Sequence, residues 1–427
     1  MIDMTRPESA SKRKRNRASK IDSVLEEATR QFNARGVAGA QLSKVAEKVG
    51  LTRGTLYHYF TDREDLVFRC YLRTCSITAD RIEAVGLKGR NGLERILAYV
   101  TDALAPSATP LSVISDTDYL TSEHRTEIEL AHRRNLGGLQ QFIVAGQTDG
   151  SIRACDPKIA AQIIFGIQTW LSLAPTWLTD SRAHVDALED VVALLSDGIA
   201  ADPEAPLRLR RDFPTFSAPA RSSFDREHAK EAKREELILV ASRIFNRKSV
   251  DGTSIEHIAA ELGATPGAIY YYFQTKSALV LGCYERAYDI YNRQSDMAAA
   301  AGRTGLERLL YTVYFAVQSA EASPLVVFTG AEDLPAKGRR RIVDRLRGLI
   351  ERAESFYRDG VADGSLRPLH ALPTVLALGG SVQRASQWHT WGALYDQQST
   401  ADEIVALFAR GLRNRQGPSF ERNGSRA

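Results

Sequence analysis

The sequence predicts an all-α protein made of two tandem copies of one helical subunit, and three observations carry that prediction. Apolar residues recur at helical intervals, beginning with Ile21, Val24, Leu25, Ala28 and Phe32 on one face. The segment LTRGTLYHYF at 51–60 returns as ATPGAIYYYF at 264–273, 213 residues later. The correspondence continues on both sides: 15 of the 40 positions from Phe32 to Tyr71 are identical in Phe245–Tyr284. GLER at 92–95 returns at 305–308, DGSIR at 149–153 as DGSLR at 363–367, and EDVVALLSDGI at 189–199 as DEIVALFARGL at 402–412. At 427 residues the chain exceeds the usual size of one core, which suits two repeated units.

Residues 1–17 are polar and include KRKRNR at 12–17, a basic arm expected to be disordered. From Ser19 the apolar face above predicts a first helix, punctuated by Gly36 and Gly39. Leu42, Val45, Ala46 and Val49 predict a short second helix that Gly50 breaks. Thr52 is placed to cap a third helix over roughly 53–59, because its hydroxyl accepts from a backbone N–H two or three residues on. A long fourth helix follows from about Arg63 to Ile82. Two short helices joined by a tight glycine turn and braced by another helix form a helix-turn-helix, whose second short helix can enter the major groove of DNA.

On that helix Leu56 and Phe60 face inward, while Arg53, Thr55, Tyr57 and His58 face out. Arg53 suits a bidentate contact to guanine or a phosphate, and Thr55 a thymine methyl or a base edge. In the second copy Thr265, Pro266, Ala268, Tyr270 and Tyr271 stand at the places of Thr52, Arg53, Thr55, Tyr57 and His58. Proline is compatible with the first helical turn, so this helix is expected to form, with one cation and one hydroxyl fewer. Thr253 replaces Ala40 before the preceding short helix and is expected to cap it better.

The run from Ile159 to Thr179 has no charge, yet it holds Gln162, Gln168, Thr169, Ser172 and Pro175, and its counterpart carries Arg384 and His389. It is expected to be a helix buried against other helices rather than a membrane span. Residues 201–225 hold four prolines and read as a linker; fully extended, it reaches on the order of 80 Å. Cys70, Cys75, Cys155 and Cys283 form no CxxC pair, and no apolar leader opens the sequence, so a reducing, cytoplasmic setting is expected. His124 and His132 lie two turns apart without a metal-ligand pattern, and no metal or cofactor is expected. No P-loop, nucleophile elbow or dinucleotide fingerprint is present, so an enzyme is not expected.

VAEKVGLTRGTLYHYF at 45–60 and IAAELGATPGAIYYYF at 258–273 both resemble the DNA-binding signature of the TetR family of bacterial regulators. The resemblance implies two TetR-like subunits in tandem, each a helix-turn-helix three-helix domain followed by a helical ligand-binding and dimerisation domain. The organisation expected is a basic arm at 1–17, a first DNA-binding domain at 18–78 and a first regulatory domain at 79–200. A Pro-rich linker at 201–225, a second DNA-binding domain at 226–291, a second regulatory domain at 292–413 and a disordered tail at 414–427 complete it. The resemblance places Tyr57 and Tyr270 on the DNA backbone and Lys276 on a phosphate, with Arg63 keeping that charge in the first half. It implies pairing of Ile159–Leu173 and Leu188–Ile199 with Pro373–Ala385 and Ile404–Leu412, an intramolecular pseudo-dimer, with a further homodimer left open. The partners implied are a double-stranded DNA operator and a small-molecule effector, with no membrane. Aromatic candidates for the effector pockets are Phe142, Phe165, Trp170 and Trp177, then Phe315, Phe328, Phe356 and Trp388. EHR at 123–125, DGSIR and the Trp170–Trp177 spacing resemble members that sense acyl-CoA or other lipid-derived ligands. The function expected is a repressor released by its ligand; the alternative is an interaction protein on the same fold that no longer reads DNA, such as an anti-repressor or heterodimeric modulator.

Overall fold

The computed structural model describes residues 6–87, 90–105, 107–114, 117–173, 183–207, 209, 226–248, 250, 252–319, 334–382 and 397–415. These are helical with no strand; two isolated bridges, Ile152 with Arg413 and Ala200 with Leu366, join the halves. The first half runs α1 (Arg6–Gly39), α2 (Leu42–Lys48), α3 (Arg53–Leu56), α4 (Arg63–Gly86), α5 (Gly92–Leu104), α6 (Ser122–Thr148), α7 (Pro157–Leu173) and α8 (Ala183–Asp197). The second repeats it as α9 (Arg226–Lys248), α10 (Ile255–Glu261), α11 (Pro266–Tyr272), α12 (Lys276–Ala301), α13 (Gly305–Ser319), α14 (Ala336–Ala362), α15 (Ala371–Val382) and α16 (Gln397–Arg410).

Several expectations change in detail. The arm is helical from Arg6, continuous with α1 as far as Gly36, whose φ of 72° kinks the helix. The third helix is four residues long rather than seven; Tyr57–Tyr59 continue it as turns, with His58 N–H donating to the Thr55 carbonyl. The short second helices are capped one residue later than expected: Ser254, not Thr253, closes a capping box with His257 on α10, and Gln41 gives α2 no side-chain cap. Thr253 is buried instead. Helices α4 and α12 run across the expected divisions at 78/79 and 291/292, so each joins a helix-turn-helix unit to the helices that follow it through one continuous helix.

The start of the linker is docked: Ala201 N–H donates to the Ser365 carbonyl, Arg410 to the Ala205 carbonyl, and Leu207 and Leu209 pack on the regulatory core. The tail also begins later, because Asn414 N–H donates to the Ser151 carbonyl and Arg415 to the Arg410 and Asp197 carbonyls.

Three cores follow from the packing. Val24, Leu56, Phe60 and Tyr71 belong to one under the first helix-turn-helix, and Ile238, Ile269, Phe273 and Tyr284 to its counterpart. The third is common to both regulatory parts: Ile163, Ile167 and Leu194 from the first half join Tyr311, Ala377 and Phe408 from the second. Apolar α7, without a charge after Lys158, supplies the face that α15 needs, and Gly166 lets the backbones close to where a Cβ would stand 3.2 Å from the Ser381 carbonyl. The uncharged run beyond Leu173 lies outside the described residues.

A seam of paired contacts closes this junction with pseudo-two-fold symmetry. Ile199 N–H donates to the Phe408 carbonyl and Leu412 N–H to that of Leu195, both at 2.8 Å. Arg153 Nε donates to the Gly411 carbonyl at 2.7 Å, and Arg367 Nη1 to that of Gly198 at 2.8 Å. Burial pushes the Asp197 carboxyl up, but hydrogen bonds from Arg413 and Ser196 and the charges of Arg413 and Arg367 outweigh it and hold it below the usual carboxylate range.

Candidate DNA-reading helices and ligand cavity

Each short reading helix is built the same way. Thr52 Oγ1 accepts from Thr55 N–H at 3.1 Å, and Thr265 Oγ1 from Ala268 N–H at 3.3 Å. Gly50 and Gly263 hold φ of 67° and 60° in the turns before them, a conformation that costs other residues energy. Leu56 and Ile269 anchor the helices from below, leaving Arg53, His58 and the rings of Tyr57 (40% exposed), Tyr270 (45%) and Tyr271 (70%) outside. Pro266 and Ala268 are exposed; Thr55 is half-buried, its hydroxyl 2.8 Å from that of Thr52. A Cβ added at Gly54 or Gly267 would meet nothing closer than a threonine Oγ1 at 3.9 Å, so nothing among the described residues demands glycine on this face.

Arg63 differs from the expectation. Its Nη1 and Nη2 donate to the Val37 and Ala40 carbonyls at 2.9 and 3.0 Å, bracing the α1–α2 connection instead of simply projecting outward. Lys276 begins α12 at the equivalent position and is half-buried. A contact that sequence reasoning missed joins the first reader to its regulatory part: His124 Nδ1 lies 2.8 Å from Glu64 Oε1, and its ring stacks on Phe68 at 3.8 Å. In the second half those places hold Gly338, Ser277 and Leu281. His132 is buried edge-on to Phe165, so the two histidines serve separate surroundings. Among the described residues no three His, Cys, Asp or Glu side chains group as a metal site, and no helix is long and apolar enough to cross a membrane. Burial pushes the Cys70, Cys75 and Cys283 thiols up to about 12, which leaves them as inert core groups.

A cavity of about 160 Å³ lies among α12, α13, α14 and α15, with Trp170 of α7 as one wall. Tyr291, Gln294, Ser295 and Thr312 bring polar atoms to an otherwise apolar lining, and no charged residue is among the described lining. Gln294 Nε2 donates to Ser319 Oγ at 2.7 Å, which orients the amide. Burial raises the Tyr291 phenol above its ordinary value, so it is a neutral hydrogen-bonding group.

Of the aromatic candidates, Trp170 lines this cavity. Phe142 lies under Arg95 with its ring against Gly86, Phe165 meets His132, Phe315 stacks on Tyr311 and Phe356 lies under Arg352. These four pack into the shared core rather than around the cavity. Trp177, Phe328 and Trp388 lie outside the described residues. The signal that points to the cavity is small or polar residues on otherwise apolar helix faces, such as Ser295 and Thr312.

Comparison with known proteins matches this layout. The family of bacterial regulatory proteins of the tetR type matches residues 24–70 and again 237–283. The tetracyclin repressor-like C-terminal domain matches residues 89–180 and 302–412. The fatty acid metabolism regulator protein of Bacillus subtilis is 25% identical over 183 residues, covering 41% of this chain and 93% of its own. The transcriptional repressor KstR2 of Rhodococcus jostii is 24% identical, covering 44% and 95%. Among solved structures, AibR in complex with isovaleryl coenzyme A and operator DNA is 18% identical with a TM-score of 0.38, covering 42% of this chain and 99% of its own. The two curated regulators align over more than nine-tenths of their own length and cover 41% and 44% of this chain, and with both domains matched twice the chain belongs to the TetR family of transcriptional regulators, carrying the family's whole subunit in tandem.

Proposed function

We propose that the chain is a sequence-specific repressor that binds an asymmetric inverted repeat as a covalent pseudo-dimer and is released by a small apolar or lipid-derived ligand. The observation that carries this reading is the contrast between the two readers. Cap, turn glycine, buried anchor and backbone-facing tyrosine are kept in both, while Arg53, Thr55 and His58 give way to Pro266, Ala268 and Tyr271. Two intact but chemically different readers on one frame call for two different half-sites, since operator symmetry mirrors protein symmetry. The open faces at Gly54 and Gly267 leave room for a DNA backbone, with Tyr57, Tyr270 and Lys276 as phosphate partners. Binding then weakens with salt, because phosphate contacts release counterions. The fatty acid metabolism regulator among the relatives supports a lipid-derived ligand. An acyl group suits the apolar lining of the cavity.

Selection from random duplexes tests the reading. It is expected to enrich an inverted repeat with unequal half-sites, and Arg53→Ala is expected to relax preference in one half-site only, by about 1–3 kcal/mol at the base contacted. Failure to enrich any sequence favours the interaction-protein alternative; unchanged preference in both half-sites removes Arg53 from the readout.

A further inference from the structure

The two halves do not offer the same space for a ligand. The repeats correspond 213 residues apart in α5 and α13, and 214 apart in α6 and α14 and in α7 and α15. Matching contacts fix that register. Gly92 N–H donates to Asp149 and Gly305 N–H to Asp363, each at 2.8 Å, and Gly166 faces Gly380 across the junction. In this register the cavity residues Ser295, Thr312, Ala353 and Gly379 correspond to Ile82, Tyr99, Leu139 and Phe165. These four replacements are larger and each has a place of its own, whereas Tyr291 and Val375 give way to the smaller Thr78 and Ala161. Tyr99 and Leu139 are fully buried, and the Tyr99 phenol donates to Gln168 Oε1 at 2.6 Å. Phe165 rests edge-on against His132 with ring centroids 4.7 Å apart, and Ile82 covers Gly138, 2.9 Å from where a Cβ would stand. Arg81 takes the place of Gln294 and pairs with Asp102 at 3.3 Å. The first-half position is therefore filled by packed side chains, whereas a Cβ at Gly379 would meet nothing within 4 Å.

We infer that the chain has one effector site, in its second half, for an uncharged apolar molecule bearing a hydrogen-bonding group, with Trp170 of the first half as a wall. The described lining offers Tyr291, Gln294, Ser295 and Thr312 to that group, and no charged residue is among it. A dry apolar cavity of about 150 Å³ accepts benzene. The 160 Å³ here is likewise enough for a single ring or a short branched chain. Trp170 touches the cavity and also lies against Gly380, 2.5 Å from where a Cβ would stand. One ligand thus bears directly on the α7–α15 crossing that joins the halves. The site stands on this geometry alone; its effect on DNA rests on the repressor reading above.

Fluorine NMR titration of the full chain with fluorobenzene and 4-fluorophenol tests it. One probe is expected to saturate per chain. Thr312→Tyr and Gly379→Phe, which move the first-half residues into two different cavity helices, are each expected to weaken binding at least tenfold. Circular dichroism and melting verify that each variant is folded, and Gly348→Ala, on the exposed face of α14 outside the lining, serves as the control that keeps binding. Gln294→Leu is expected to lower affinity for 4-fluorophenol more than for fluorobenzene. Two probes per chain, no saturable binding, or undiminished binding in both folded plug variants overturns the inference. Operator anisotropy on the same samples separates the two proposals: one bound probe without any effect on the operator retains the site and refutes ligand-driven release.

Discussion

Gly411→Val is expected to destabilise the protein by about 2–5 kcal/mol and to loosen the junction between the halves. Two costs combine there. Gly411 holds φ of 70°, a left-handed conformation that costs a side-chain-bearing residue about 1–2 kcal/mol and a β-branched one the upper part of that range. A Cβ would also stand 2.4 Å from the Ser196 carbonyl oxygen and 2.5 Å from Gly198 N, backbone atoms of the opposite half that no rotamer change can clear. Overpacking of this kind costs about 1–3 kcal/mol. Gly364 provides the control: its φ is 77°, but a Cβ there meets nothing within 4 Å. Gly364→Val carries the backbone cost alone. Urea unfolding of the two variants measures the difference, and equal costs would falsify the close approach across the seam.

Inactivating one reader is expected to lower operator affinity by about 10²–10⁴-fold, although half of the DNA-contacting chemistry remains. Two tethered modules gain this factor from effective concentration, and it disappears when either cannot engage. Arg53→Glu with Tyr57→Ala removes the first reader without touching a core, because both side chains are exposed while Leu56 and Phe60 beneath them are untouched. The melting temperature should therefore stay within about 2 °C of the parent while operator affinity collapses. The matching change on the other side, Tyr270→Ala with Lys276→Glu, is expected to act likewise. Fluorescence anisotropy against a selected operator reads both; a loss below tenfold in each would mean that the readers do not bind the same duplex together.

The helix-turn-helix units were the most legible part of the sequence because their determinants are local. A threonine cap, a glycine in the left-handed region and one buried aliphatic residue all lie within seven positions of one another. The α7–α15 pairing was partly legible, since a helix without charge must be covered on several sides. The seam was not. Arg153 and Arg367 look like surface cations until the chain brings them to carbonyls 258 and 169 residues away. Arg63 shows the same limit at shorter range: its charge matched Lys276, but its fork reaches two backbone carbonyls at once. Most of the cavity was missed for a different reason. Aromatic residues draw attention as ligand contacts, yet Phe142, Phe315 and Phe356 fill space rather than enclose it. The cavity follows from the lack of bulk at Ser295, Thr312, Ala353 and Gly379, a feature that shows only when one copy is laid over the other.

On the proposed reading, the two halves divide the work of a pair of subunits. The halves share one core, α4 and α12 run from it into the helix-turn-helix units, and the copies diverge at Arg53, Thr55 and His58 and around the cavity. The most direct test is the number of chains on one operator. Size-exclusion chromatography with light scattering is expected to show the free chain at 47.2 kDa and, after addition of a duplex with both half-sites, a complex of one chain per duplex. A free protein at twice that mass, binding only as two chains per duplex, would contradict the single-chain pseudo-dimer.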